Sequence, residues 1–165
     1  MNETYVEFMI KRKPNLIMKF LKTLSLLITI LLITFGLVAG LPFLIAGIAF
    51  AGITYFVGLN AEIEYEYLYL DRQLTVDKVL NRSRRKKVAV YDIDKMEILA
   101  PYNSYHLDSY KNRTADIKDY TSGIVKQPDT RYIMFYNGKE KIIFEPNAEM
   151  VKAMSMIASR KVFKE

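Results

Sequence analysis

The chain has 165 residues, no cysteine, a single histidine and a formal net charge of +6. The missing cysteine excludes disulfides, thiolate metal sites and thiol nucleophiles, and fits a cytosolic domain as readily as many exported bacterial ones. The positive balance, split about equally between the residues before Thr23 and those after Ala61, suits an anionic membrane surface better than nucleic acid.

The first 22 residues carry Lys11, Arg12, Lys13, Lys19 and Lys22 against only Glu3 and Glu7. Thr4 to Glu7 fits a capping box, which predicts a short interfacial helix with Tyr5, Phe8 and Met9 on one face, ended by Pro14. The alternative is a frayed basic arm. A cleaved signal peptide is disfavoured, because the apolar run that follows is far longer than an h-region.

Thr23 to Ala61 contains no charged side chain. As one straight helix it would run about 58 Å, against a hydrocarbon core of roughly 30 Å, so one span is too few. Ala39-Gly40-Leu41-Pro42 holds the best helix breakers and divides the run into two segments of spanning length. The expectation is a transmembrane hairpin over 23–61 with its turn near 39–42. Basic residues before the first span predict a cytoplasmic N-terminus, and the hairpin returns the chain to the same side. The predicted location is therefore the bacterial inner membrane, multi-pass, with both termini cytoplasmic. Gly36 and Gly40, and Gly47 and Ala51, stand four apart and are candidate helix-packing positions, either within one hairpin or in a homo-oligomer. Neither span holds an ionisable residue of the kind that marks an ion pathway.

From Glu62 the apolar period falls to two, and Ile63, Tyr65, Tyr67 and Tyr69 share one strand face. Further strands are expected at Leu74–Leu80, Lys86–Val90 and Met96–Leu99, with a turn over Asn81–Arg85. Residues 102–130 read as a polar, tyrosine-rich insertion that could hide a strand around Ala115 to Tyr120. Arg131 to Phe144 predicts a hairpin with a type I′ turn at Asn137-Gly138, and Asn147 can cap a helix over 147–160. The fold class is thus an α+β membrane protein, with one cytoplasmic β domain over 62–165.

Tyr69-Leu70-Asp71-Arg72-Gln73-Leu74-Thr75-Val76, then Arg82-Ser83-Arg84-Arg85-Lys86-Lys87, then Ile93-Asp94-Lys95-Met96-Glu97-Ile98, resembles bacterial membrane-anchored pleckstrin-homology-like domains. Asp119-Tyr120-Thr121-Ser122-Gly123 and Phe144-Glu145-Pro146 are similar to segments of a bacterial family of small two-span proteins. The resemblance implies a curved antiparallel barrel or sheet closed by a C-terminal helix, and it supplies no activity.

Candidate chemistry is sparse. His106 and Asp108 form at most a ligand fragment, and Asp108, Asp116, Asp119 and Asp129 match no calcium loop. No glycine-rich phosphate loop is present, so neither a catalytic residue, a metal site nor a cofactor is expected. Arg82, Arg84, Arg85, Lys86 and Lys87 are the one chemical concentration. They are candidates for contact with anionic phospholipid headgroups or an acidic partner, or else a solvated turn. Tyr102, Tyr105, Tyr110 and Tyr120 are candidates for a protein surface. The expected role is a non-catalytic membrane-anchored interaction or scaffold module. The alternative is an accessory subunit of a larger complex, assembled through its spans.

Overall fold

The computed structural model describes residues Tyr5–Glu165. Two helices, α1 (Leu16–Ala39) and α2 (Leu41–Ala61), follow a first strand, β1 (Val6–Lys11). Seven more strands and a closing helix come after them: β2 (Ile63–Leu70), β3 (Gln73–Leu80), β4 (Arg84–Asp92), β5 (Met96–Pro101), β6 (Asp116–Asp119), β7 (Tyr132–Tyr136), β8 (Glu140–Phe144) and α3 (Ala148–Ile157). The chain divides into two compact units. One holds the two long helices with Val79–Arg84, the tip of the β3–β4 hairpin; the other holds the rest of the sheets and α3.

In the helical unit, α1 starts at Leu16, seven residues before the expected boundary. The Asn15 side chain caps it by accepting from the Ile17 N–H at 3.0 Å. Lys19 and Lys22 lie inside the helix, and their long stems let the ammonium groups reach beyond an apolar surface. The helices are separated by Gly40 alone, at φ 105°, and Pro42 sits in the first turn of α2, where its missing N–H costs nothing. The burial is inverted relative to a soluble helix. Ser25, Thr29, Gly36 and Gly47 are buried, whereas Leu37 is 75% and Val38 89% exposed. Both helices are long and apolar enough to cross a membrane. Gly36 and Gly47 bring them together: a Cβ on Gly36 would lie 2.7 Å from the Leu44 backbone nitrogen, and one on Gly47 2.8 Å from Ile33 Cγ1. The Thr29 and Thr54 hydroxyls meet across the same interface at 3.1 Å.

The β unit corrects the N-terminal expectation. The Thr4 half of the capping box lies outside the described residues, and Val6–Lys11 is a strand, not an interfacial helix. It pairs antiparallel with β2, Val6 opposite Tyr69 and Ile10 opposite Tyr65. Val6 and Ile10 are buried, so the decisive period there is two, supplied by a partner strand more than fifty residues away. The barrel expectation is also corrected. The strands form two four-stranded sheets, ordered β1-β2-β3-β4 and β5-β7-β8-β6, with no closed barrel among the described residues. The second is mixed, because β6 pairs parallel with β8.

The second sheet has buried apolar side chains on both faces. The register puts Met134, Ile142 and Phe144 on one face, all fully buried, while Ile133 and Phe135 join Ile98, Ala100 and Leu107 on the other. That explains the unbroken apolar run of β7 and the apolar end of β8, Ile142-Ile143-Phe144. The 102–130 segment is the cover of the second face: its short 3-10 helix, Tyr105–Tyr110, contributes Leu107, and the C-terminal tail adds Phe163.

The hairpin geometry is testable because the native chain has no cysteine. Thr29→Cys with Thr54→Cys should cross-link within one chain on mild oxidation in detergent. Adding Gly36→Leu should lower that yield severalfold, since the new side chain must displace Leu44. Unchanged cross-linking would show that the helices do not pack through Gly36.

Candidate functional site

The basic concentration is organised differently from the expected turn. Only Asn81, Arg82 and Ser83 make the turn. Asn81 and Arg82 take positive φ values of 46° and 54°, and the Ser83 N–H donates to the Leu80 carbonyl at 3.1 Å. A two-residue turn with both φ positive matches the twist of the flanking strands, so pairing resumes at Arg84 and the next four cations fall on β4. This strand is the edge of its sheet, where charged residues discourage pairing with another chain. Alternation puts Arg84, Lys86, Val88 and Val90 on one face, all exposed, the valines at 42% and 43%. Among the described residues Arg84, Lys86 and Lys87 have no carboxylate partner.

Arg85 differs. Its guanidinium donates to Glu66 Oε1 at 2.9 Å, and the Glu66 side chain is only 3% exposed. Burial pushes the Glu66 carboxyl above the ordinary range, and a hydrogen bond shared with Glu7 pushes it further, against the pull of Arg85. The Tyr5 hydroxyl donates to Glu7 in turn, and this bond holds the Glu7 carboxyl low. Four ionisable groups from β1, β2, β4 and the residue before β1 therefore form one network.

The insertion is anchored by a buried acid. Glu145, 2% exposed, accepts from the Ser122 N–H at 2.7 Å and the Ser122 hydroxyl at 2.6 Å, with Lys126 Nζ and Thr130 Oγ1 each at 3.4 Å. Asp119 accepts from the Thr121 N–H and hydroxyl at 2.9 and 2.8 Å, which turns the chain toward that anchor. Nothing in the spacing of Asp119 to Gly123 and Glu145 marks them as partners; only the fold brings them together across more than twenty residues.

The remaining acidic candidates are occupied locally. Asp108 pairs with Lys111, Asp116 with Lys118 and Asp129 with Arg131, each at 2.6 Å. The Arg131 hydrogen bonds hold the Asp129 carboxyl below its usual range. His106 is stacked on Phe163 with ring centroids 3.7 Å apart. Among the described residues no group of three or more His, Asp or Glu could hold a metal ion. Of the four insertion tyrosines, Tyr120 is buried with its hydroxyl 3.1 Å from that of Tyr91, Tyr110 packs on Phe135, and Tyr102 lies under the Arg131 guanidinium at 3.9 Å. Tyr105 alone is largely exposed.

Residues 2–164 match the family model described as a bacterial PH-like domain, DUF6106. The chain belongs to that family. No curated protein and no solved structure matches it. The family match spans the helices as well as the sheets, so the two apolar helices are part of what defines it.

Two outcomes are expected. Folding takes up a proton at Glu66 in the pH range above the ordinary carboxylate value, so that contribution to stability falls as pH rises through it. Asp129, with its lowered value, contributes stability that is lost as pH falls through that value. Thermal unfolding against pH should therefore lose the part of its decline just above the ordinary carboxylate range in Glu66→Gln and part of its acid-side decline in Asp129→Asn. Ser122→Ala should leave the fold intact but speed tryptic cleavage after Lys126 severalfold. Equal cleavage would show that Glu145 does not hold the loop.

Proposed function

We propose that this chain is a non-catalytic, membrane-anchored interaction module of the bacterial inner membrane. Its helices span the bilayer as a hairpin with both termini cytoplasmic, and its PH-like domain contacts the anionic leaflet through the outward face of β4. PH-like domains are generally interaction modules, and the family supplies that coarse assignment. The observation that carries the finer one is the row Arg84, Lys86, Val88, Val90. Unpaired cations followed by exposed valines on one edge strand fit headgroup phosphates beside the interfacial region. At about 1 kcal/mol per basic residue near an anionic leaflet, Arg84 and Lys86 supply roughly 2 kcal/mol on this face. The hairpin already provides attachment, so this energy orients the domain. Glu66 tunes it by keeping Arg85 occupied.

The second reading, an accessory subunit assembled through its spans, draws support from Gly52, whose Cβ position meets no atom within 4 Å and leaves part of α2 open to a neighbouring helix. In that case Gly52→Leu disrupts assembly and leaves the β4 face unaffected.

A single fluorophore at Val88→Cys tests the leading reading in the full chain, reconstituted in nanodiscs of phosphatidylglycerol with phosphatidylcholine or of phosphatidylcholine alone. Quenching by a lipid-borne quencher should occur in the anionic discs, weaken at high salt, and vanish in Arg84→Ser/Lys86→Ser/Lys87→Ser. Equal quenching in both discs would refute the anionic contact.

A further inference from the structure

The helical unit contains a cleft of about 350 Å³ between α1 and α2, near the ends where the chain enters and leaves the hairpin. Lys22 and Asn81 line one end; Thr29 and Ala51 line it further in, with Thr29 two turns, about 10 Å, along α1 from Lys22. The Lys22 stem crosses Gly58, where an added Cβ would lie 3.6 Å from Lys22 Cε. Among the described residues the Lys22 ammonium has no carboxylate partner. The Asn81 backbone N–H is bonded to the Glu62 carbonyl at 2.8 Å, which fixes the turn beside the end of α2. Deeper in, the hydroxyls are satisfied: Thr29 Oγ1 lies 2.8 Å from the Ser25 carbonyl and Thr54 Oγ1 2.9 Å from the Phe50 carbonyl, and with the two hydroxyls 3.1 Å apart either one can donate its single proton to the other instead. The interior thus offers apolar walls from Leu26, Ala51 and the Tyr55 ring.

We propose that this cleft holds one anionic phospholipid, its phosphodiester at the Lys22 ammonium and the Asn81 side-chain amide and one acyl chain along Leu26, Ala51 and Tyr55. The inference rests on the membrane-spanning reading above and adds a stoichiometric site to it, separate from the β4 face. Charge complementarity selects the headgroup. A lone, unpaired cation at the end of an otherwise apolar cleft meets an anionic lipid, whereas a zwitterionic one brings its own cation to the same place. Shape selects a lipid over a protein: an α-helix with side chains is roughly 10–12 Å across and cannot enter a space of this volume, while a single acyl chain can. Gly58 is the residue that makes room, because any longer side chain there competes with the Lys22 stem.

The test uses the full chain in detergent, with native mass spectrometry against equal amounts of phosphatidylglycerol and phosphatidylcholine. One phosphatidylglycerol per chain should be retained with about a fivefold preference, the factor that one basic residue supplies. Lys22→Ser should abolish the preference, and Gly58→Leu should lose the adduct altogether. Arg84→Ser/Lys86→Ser/Lys87→Ser should keep both adduct and preference. Excess glycerol 3-phosphate should not displace the lipid. Equal retention of the two lipids by the native chain, a preference that survives Lys22→Ser, a preference lost with the β4 variant, or displacement by glycerol 3-phosphate would each overturn the proposal. Carbonate washing of membranes separates the two levels. A chain that stays in the membrane but shows no lipid preference removes this site alone, and a chain that washes off removes the spanning reading with it.

Discussion

The β unit depends on the Tyr67 hydroxyl. It donates to the Tyr120 carbonyl at 2.6 Å and accepts from the Glu145 N–H at 3.3 Å, while its ring meets Phe144 edge-on at 5.5 Å. One fully buried side chain on β2 therefore satisfies two backbone groups, one in the insertion and one at the end of β8. Burial drives its pKa far upward, so the hydroxyl stays protonated and keeps its donor at every pH the fold survives. Leaving such groups unpaired in the interior costs about 1–3 kcal/mol each, which makes this atom a junction between the two sheets and the loop rather than a decoration of one strand. Glu145 extends the same junction through Ser122, so the insertion is held by a continuous polar chain inside an apolar core.

The helical unit is held by different physics. In the bilayer proposed for it, burying leucine against leucine gains little, and association needs close backbone approach or hydrogen bonds. The chain supplies both, at Gly36 and Gly47 and at the Thr29–Thr54 pair, and turns its large side chains outward. The pair costs little when the hairpin opens, because the hydroxyl that donates across the interface can turn its one proton to a carbonyl of its own helix instead. It fixes register more than it adds stability.

Charge links sheet geometry to the proposed contact. An edge strand tolerates consecutive cations because half of its backbone has no partner strand to satisfy, and those cations also discourage aggregation. Arg85 turns to Glu66 while Arg84 and Lys86 stand on the opposite face of β4, so the two-residue alternation of a strand divides the run. A loop of the same composition would have no such division.

The hairpin was legible in the sequence because its signals are local: length, the absence of charge, and Gly40-Leu41-Pro42. The strands β2, β3, β5, β7 and β8, the Lys86–Val90 part of β4 and the helix α3 were legible for the same reason, since alternation, Asn137-Gly138 and the Asn147 cap act within a few residues. The strand at Val6–Lys11 was not, because its six residues fit a helical face as well as a strand, and only pairing with Tyr65 to Tyr69 decides between them. Nor was the placement of Arg84 and Arg85 on β4, which follows from how tightly Asn81 and Arg82 turn. The mixed second sheet and the Glu145 anchor depend on contacts between residues far apart in the chain. Composition and spacing thus determined the elements and the charge they carry; which cations are paired, and which face of the sheet the insertion covers, were decided only when distant strands met.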